Sequence, residues 1–134
     1  MGAWGHGNFD NDAAGDWGYA LEERDDLSFV QETIDAVFAE AYIDADVACE
    51  AIAAIEVVAR LKGQSGTSNA YTEAVDNWVK AHPVEVSAEL IDQSTRALAL
   101  LQGESSELAE LWAESDDEDA WRQEIDALSA RLKV

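Results

Sequence analysis

The sequence predicts a single all-α domain of six or seven helices. The chain has 134 residues, a length that suits one domain, and its hydrophobic content of 48% is normal for a globular protein. It contains one proline, and its apolar residues recur at intervals of three and four, which is the spacing of one helix face. We expect residues 1–11 to form a glycine-rich arm and residues 12–134 to form the helical bundle.

The arm reads MGAWGHGNFDN and has too many glycines for a helix. Trp4 and Phe9 are large apolar residues, and leaving either ring in water costs about 2 kcal/mol. We therefore expect both rings to dock onto the bundle and to hold the arm against it.

The first predicted helix spans residues 12–24 and is capped by Asn11 or Asp12. Gly15 and Gly18 lie inside it, and each costs about 1 kcal/mol relative to alanine. We expect these glycines to let another part of the chain approach the helix closely.

The second predicted helix starts at Ser28, which has the spacing of a capping box with Gln31. The third starts at Asp44 or Asp46 and ends before Gly63. More than half of its circumference is apolar, through Val47, Ala48, Ala51, Ile52, Ile55, Val58 and Ala59. A helix with so wide an apolar surface belongs in the middle of a bundle.

Three or four further helices are predicted after a loop at residues 63–69. A fourth helix covers about 70–81, and a fifth covers about 84–102. The residues expected to face the core from the fourth helix are Tyr71, Val75, Trp78 and Val79. The last stretch divides into a short helix capped by Ser105 or Ser106 and a final helix with an apolar seam of Trp121, Ile125, Leu128 and Leu132.

The charge of the chain restricts the class of partner. There are 29 acidic residues and 8 basic ones, which gives a net charge of -21. Nucleic acids and anionic membranes both attract basic surfaces, so we expect neither as a partner. The longest wholly apolar run, residues 51–55, is far short of the ~20 residues that cross a membrane, and the start lacks a signal-peptide pattern. We expect a cytoplasmic protein, with a basic protein as the compatible partner.

No catalytic set is indicated by the sequence. Cys49 is the only thiol and follows the pattern of a buried, inert cysteine in an apolar helix. His6 and His82 are the only imidazoles, and nothing joins either to a nucleophile and an acid. We assign no catalytic residue, no metal site and no cofactor, and the oligomeric state has no signal in the sequence.

Three aspartates near the arm are candidate binding residues. Asp10, Asp12 and Asp16 partly follow the spacing of a calcium loop, but Ala14 and Leu21 stand where that loop needs ligands. An EF-hand is therefore not predicted. The three carboxylates remain candidates for a small-molecule or divalent-cation site built around the arm.

Glu56 is the fourth candidate, because it lies in the most apolar helix. Its simplest interpretation is an ordinary ion pair with Arg60 one helical turn later, worth a few tenths of a kcal/mol. A buried Glu56 would instead need a partner for its charge, and backbone N–H groups of the glycine-rich arm are suitable donors. A buried glutamate would also be a candidate acid or base.

The opening of the chain resembles a bacterial family, the domain of unknown function 4259 family. The residues that match the start of that family are Trp4, Gly5, Gly7, Phe9, Asn11 and Asp12, followed by Asp16 and Trp17. The alanine-rich stretch at 51–59 and the C-terminal stretch at 106–112, with Trp121, are similar to the same family. The resemblance implies a small bacterial helical domain, and it brings no catalytic residues with it.

Together these observations predict a non-catalytic protein-interaction module. The expected partner is a basic protein, such as a toxin that this chain neutralises. Two alternatives stay open. One is a small-molecule or divalent-cation site formed by Asp10, Asp12, Asp16 and Glu56, and the other is a hydrolase with a carboxylate acid–base pair.

Overall fold

The computed structural model describes Gly5 and residues 7–134. These residues form helices α1 (Asp12–Leu21), α2 (Ser28–Ala39), α3 (Ala45–Leu61), α4 (Glu73–Ala81), α5 (Ala88–Leu101), α6 (Glu107–Ala113) and α7 (Glu118–Leu132). No strand forms within them, although an isolated bridge pairs Ile43 with Ser106. The prediction of a single all-α domain with six or seven helices is confirmed.

Helix α3 is the centre of the bundle. It packs against each of the other six helices, and every residue from 51 to 60 is buried. The Asp44 carboxylate caps the helix by accepting hydrogen bonds from the N–H groups of Asp46 and Val47. The predicted central position of the third helix is confirmed, so any polar group on residues 51–60 must find its partners inside the protein.

The arm docks onto the bundle through Phe9, whose side chain is buried in the core. A tight turn precedes α1, because the Asp10 N–H donates to the Gly7 carbonyl and the Asp10 carboxylate accepts from the Gly7 N–H at 3.1 Å. A Cβ atom at Gly7 would lie 2.6 Å from that carboxylate, so a side chain there would displace the carboxylate from the turn. The docking of Phe9 is confirmed, and Trp4 lies outside the described residues.

Two predicted helix starts are wrong, because both helices begin later in the chain than expected. Helix α5 begins at Ala88 rather than near residue 84, since the Ser87 hydroxyl accepts from the Leu90 N–H. Helix α4 begins at Glu73, so Tyr71 belongs to the preceding turn. Its ring is 57% exposed instead of facing the core.

The capping box at Ser28 is also wrong. Ser28 is already the first residue of α2, and Leu27 at the cap position makes no side-chain hydrogen bond. The Asp26 carboxylate accepts from the Ser28 N–H at 2.9 Å instead. Hydrogen bonds from the Ser28 side chain and backbone lower the pKa of Asp26. The first helix is shorter than predicted, because α1 ends at Leu21 rather than at residue 24.

The two glycines of α1 have different surroundings. Gly18 is buried, and a Cβ atom there would touch Val75 and Ala74 of α4 at 3.6 and 3.7 Å, which fits the expected close approach. Gly15 does not fit it, because a Cβ atom there would meet nothing within 4 Å. The space beside Gly15 is open.

The four described tryptophans, Trp17, Trp78, Trp112 and Trp121, are all buried, as their helical spacing suggests. Within the part of the chain that the structure describes, no helix combines the length and the apolar character needed to cross a membrane.

We expect Gly15→Ala to stabilise the protein by about 0.5–1 kcal/mol, because alanine restricts the unfolded chain and meets no steric obstacle in α1. Urea unfolding followed by circular dichroism measures the change. Gly63→Ala is the opposite control, since Gly63 has a φ of 82° and a side chain there costs about 1–2 kcal/mol. A Gly15→Ala protein that unfolds at lower urea than the unmodified chain would contradict the open environment of Gly15.

Candidate functional site

The candidate site is built around one buried carboxylate, that of Glu56 in α3, whose residue is 3% exposed. The guanidinium of Arg131 in α7 donates two parallel hydrogen bonds to it. The distances are 2.9 Å from Nη1 to Oε1 and 2.7 Å from Nη2 to Oε2. This bidentate arrangement is a strong form of ion pair, because both bonds are charge-assisted and their geometry is complementary.

The arm supplies the next partner of Glu56. The side-chain amide of Asn8 donates from Nδ2 to Oε2 at 2.7 Å, and Asn8 is itself buried. The expectation that backbone N–H groups of the arm bind this carboxylate is therefore corrected. In the described part of the arm, the N–H groups of Gly7 and Asp10 serve the turn before α1, and the Asn8 amide reaches the carboxylate.

Arg60 completes the cluster. Its Nε lies 3.6 Å from Oε1 of Glu56, its Nη1 donates to Asp76 at 2.9 Å, and its Nη2 donates to the Thr67 carbonyl at 2.7 Å. The ion pair between Glu56 and Arg60 thus exists, but its interpretation as an ordinary surface pair is wrong. Both side chains are almost fully buried, because they lie on the enclosed segment of α3.

The loop after α3 closes over the cluster. Arg131 also donates from Nη1 to the Gln64 carbonyl at 3.1 Å. A Cβ atom at Gly66 would lie 2.8 Å from Cζ of Arg131, so a side chain there would push the loop and this guanidinium apart. Two arginines and two carboxylates, those of Glu56 and Asp76, therefore balance one another in the interior.

A recess of about 260 Å³ lies beside this cluster. The arm, the loop at 66–72 and α7 form its walls, and both Asp10 and Glu56 line it. Both carboxylates already have hydrogen-bond partners, because Asp10 accepts from the Gly7 N–H in the turn and Glu56 binds Arg131 and Asn8.

A second concavity of about 480 Å³ lies between α1 and α4, and we call it the α1–α4 groove. Its lining residues are Phe9, Asp12, Ala14, Gly15, Asp16, Gly18, Tyr19, Glu22, Ala70, Tyr71, Glu73, Ala74, Val75 and Asn77. Two of the four predicted binding residues, Asp12 and Asp16, lie here, whereas Asp10 and Glu56 lie at the recess. Phe9 lines both concavities and therefore lies between the pair Asp12 and Asp16 and the pair Asp10 and Glu56.

Neither a metal centre nor a reactive thiol emerges from the described residues. No group of three or more histidine, cysteine, aspartate or glutamate side chains is placed there to hold a metal ion. Burial raises the pKa of the Cys49 thiol to about 12, and the carboxylates of Asp46 and Glu50 add to the shift. The thiol is therefore held in its unreactive protonated form, as its sequence context suggests.

Among the residues of these sites that sequence reasoning missed are Arg131, Asn8 and Tyr19. In the sequence, Arg131 is a cation in the last turn of a predicted helix, where it complements the helix dipole. That position does not indicate that its guanidinium binds Glu56. No pattern in the sequence of the arm distinguishes Asn8 as a partner for a buried charge. Tyr19 could have been found, because it follows Asp12, Gly15 and Asp16 on one helix face without belonging to the apolar stripe.

The fold and the site define a small acidic helical protein in which one buried carboxylate of the central helix binds the last helix through an ion pair and the arm through a hydrogen bond. A family model described as Domain of unknown function (DUF4259) matches residues 2–124, which is nearly the whole chain. The chain belongs to this family, and the resemblance noted at its opening is confirmed. No curated protein and no solved structure matches the chain.

We expect Asn8→Ala to lower the free energy of unfolding by about 1.5–3 kcal/mol, because Glu56 loses a buried charge-assisted hydrogen bond. The arm should also detach more often, so chymotrypsin should cut faster after Phe9. Urea unfolding and timed proteolysis measure the two effects.

The matched control is Asn77→Ala on the exposed face of α4, which should change stability by less than about 0.5 kcal/mol. If Asn8→Ala and Asn77→Ala unfold and are cleaved alike, the arm is not held by Glu56.

Proposed function

We propose that this chain is a non-catalytic protein-interaction module that binds a basic protein. The observation that carries the proposal is a separation of charges. Six of the 8 basic side chains are engaged by groups of the chain itself, namely Arg24, Arg60, Lys62, Arg96, Arg122 and Arg131. The carboxylates paired with a lysine or arginine in the described structure are Glu32, Glu56, Asp76, Asp92 and Glu118.

Most of the 29 acidic side chains are therefore not among those paired with a lysine or arginine in the described structure. A helical protein with a charge of -21 carries a strong negative field. Such a field accelerates the approach of a basic partner and repels acidic ones, which gives specificity as well as speed. This supports a basic protein as the partner.

The geometry at Glu56 supports a non-catalytic role over the hydrolase alternative. A general acid or base needs a carboxylate that is within hydrogen-bond reach of the substrate. Both oxygens of Glu56 already accept hydrogen bonds from Arg131, and Oε2 also accepts from Asn8. The carboxylate is used to join the arm and α7 to α3.

The small-molecule alternative has one supporting observation, the recess of about 260 Å³ beside the arm. The divalent-cation version has less support, because Asp10 and Glu56 line the recess while Asp12 and Asp16 line the α1–α4 groove. The four carboxylates do not converge on one point. We therefore favour a protein partner.

Affinity capture from native lysate, followed by reconstitution with the purified partner, tests this proposal. We expect a protein of positive net charge that binds saturably at about 50 mM salt and releases at about 500 mM salt, because screening weakens surface attraction. An unrelated acidic protein of similar net charge, immobilised at the same density, is the control. If every purified candidate binds the control as tightly as it binds this chain, the proposal is wrong.

A further inference from the structure

One face of α1 lines a concavity on the surface of the molecule. Asp12, Gly15, Asp16 and Tyr19 follow the i, i+3, i+4, i+7 spacing, so they lie on a single helix face. This face lines the α1–α4 groove, whose volume is about 480 Å³. Tyr19 is 68% exposed, although an aromatic side chain gains from burial.

Gly15 gives this face an open floor. A glycine inside a helix costs about 1 kcal/mol relative to alanine. Nothing in the described structure uses the missing side chain, because a Cβ atom would meet no atom within 4 Å. The glycine leaves the groove open at this point. An internal packing role explains Gly18, which faces α4, but it does not explain Gly15.

The rim of the groove is acidic on both walls. Asp12, Asp16 and Glu22 stand on the α1 side and Glu73 on the α4 side, and all four side chains are exposed. None of them pairs with a lysine or arginine in the described structure, and no basic residue lines the groove. The groove thus combines a concave floor, an aromatic wall and uncompensated negative charge.

We infer that the α1–α4 groove binds an arginine-containing extended segment of the basic partner, an inference that rests on the proposed function. The apolar stem of an arginine packs over the open floor at Gly15. Its planar guanidinium stacks on an exposed tyrosine and donates hydrogen bonds to the rim carboxylates. Arginine suits this groove better than lysine, since only a guanidinium can stack and form a bidentate pair at once.

The first test uses a rhodamine-labelled peptide of alternating arginine and glycine, titrated by fluorescence anisotropy at about 50 mM salt. In the groove variant, Asp12→Asn, Asp16→Asn and Glu22→Gln are combined. The three changes take the net charge from -21 to -18, because each removes one negative charge. We expect the peptide to bind this variant at least about tenfold more weakly than the unmodified chain.

A charge-matched control separates the groove from the field of the whole protein. Asp116→Asn, Asp117→Asn and Asp119→Asn also give -18, at exposed positions beside the start of α7 that do not line the groove. This control should weaken binding by less than about twofold to threefold. If the two variants weaken binding equally, the affinity of the peptide depends on net charge alone and the groove assignment is overturned.

A second pair of variants tests the shape of the groove without changing charge. Gly15→Leu places a bulky side chain on the floor, where the helix has space for it. Ala20→Leu adds the same bulk at an exposed position of α1 outside the groove. We expect the peptide to bind Gly15→Leu several-fold more weakly and Ala20→Leu unchanged, with unaltered circular dichroism for both. Equal affinity for the two leucine variants would overturn the inference.

The captured partner distinguishes failure of the groove from failure of the proposed function. A basic partner that binds the groove variant as tightly as the unmodified chain overturns the groove assignment, while the interaction module stands. If the unmodified chain binds neither the peptide nor any basic protein saturably, both are wrong.

Discussion

The structure depends on the burial of one charge. Glu56 lies on the enclosed part of α3, where an unpaired carboxylate would be strongly destabilising. Its partners come from distant parts of the sequence, since Asn8 and Arg131 are 48 and 75 positions away. The carboxylate therefore ties the arm, the central helix and the last helix to one point. None of these segments can move away without leaving a charged or polar group without its partner.

This internal use of cations shapes the outside of the molecule. Arg60 and Arg131 are drawn into the bundle to balance Glu56 and Asp76, so they do not offset the acids on the surface. The same docking places Phe9 between the recess and the α1–α4 groove. Fold and proposed function are connected through Phe9. Its docking holds the arm on the bundle, and the same ring lies between the buried ion pairs at the recess and the acidic α1–α4 groove.

Local patterns predicted the elements of this fold well, because helix spacing and wide apolar faces depend on neighbours a few positions apart. The central place of α3 and the docking of Phe9 followed from the cost of exposing apolar surface. Helix ends were less predictable, since Ser87 acts as a cap and a turn holds Tyr71 outside α4. The site itself was beyond such patterns. Glu56 could be recognised as a candidate, but which residues satisfy it is decided by long-range packing.

The most direct test of this account is a double-mutant cycle at the pair of Glu56 and Arg131. Glu56→Gln, Arg131→Gln and the double variant are compared with the unmodified chain by urea unfolding. Glu56→Gln removes the charge that offsets Arg131, and Arg131→Gln leaves Glu56 with only the longer contact to Arg60 among its cations, so each single change should cost about 3–5 kcal/mol. The double variant should cost clearly less than the sum, with a coupling energy of about 2–3 kcal/mol. Additive costs, agreeing within about 0.5 kcal/mol, would contradict the claim that this buried pair holds α7 to the central helix.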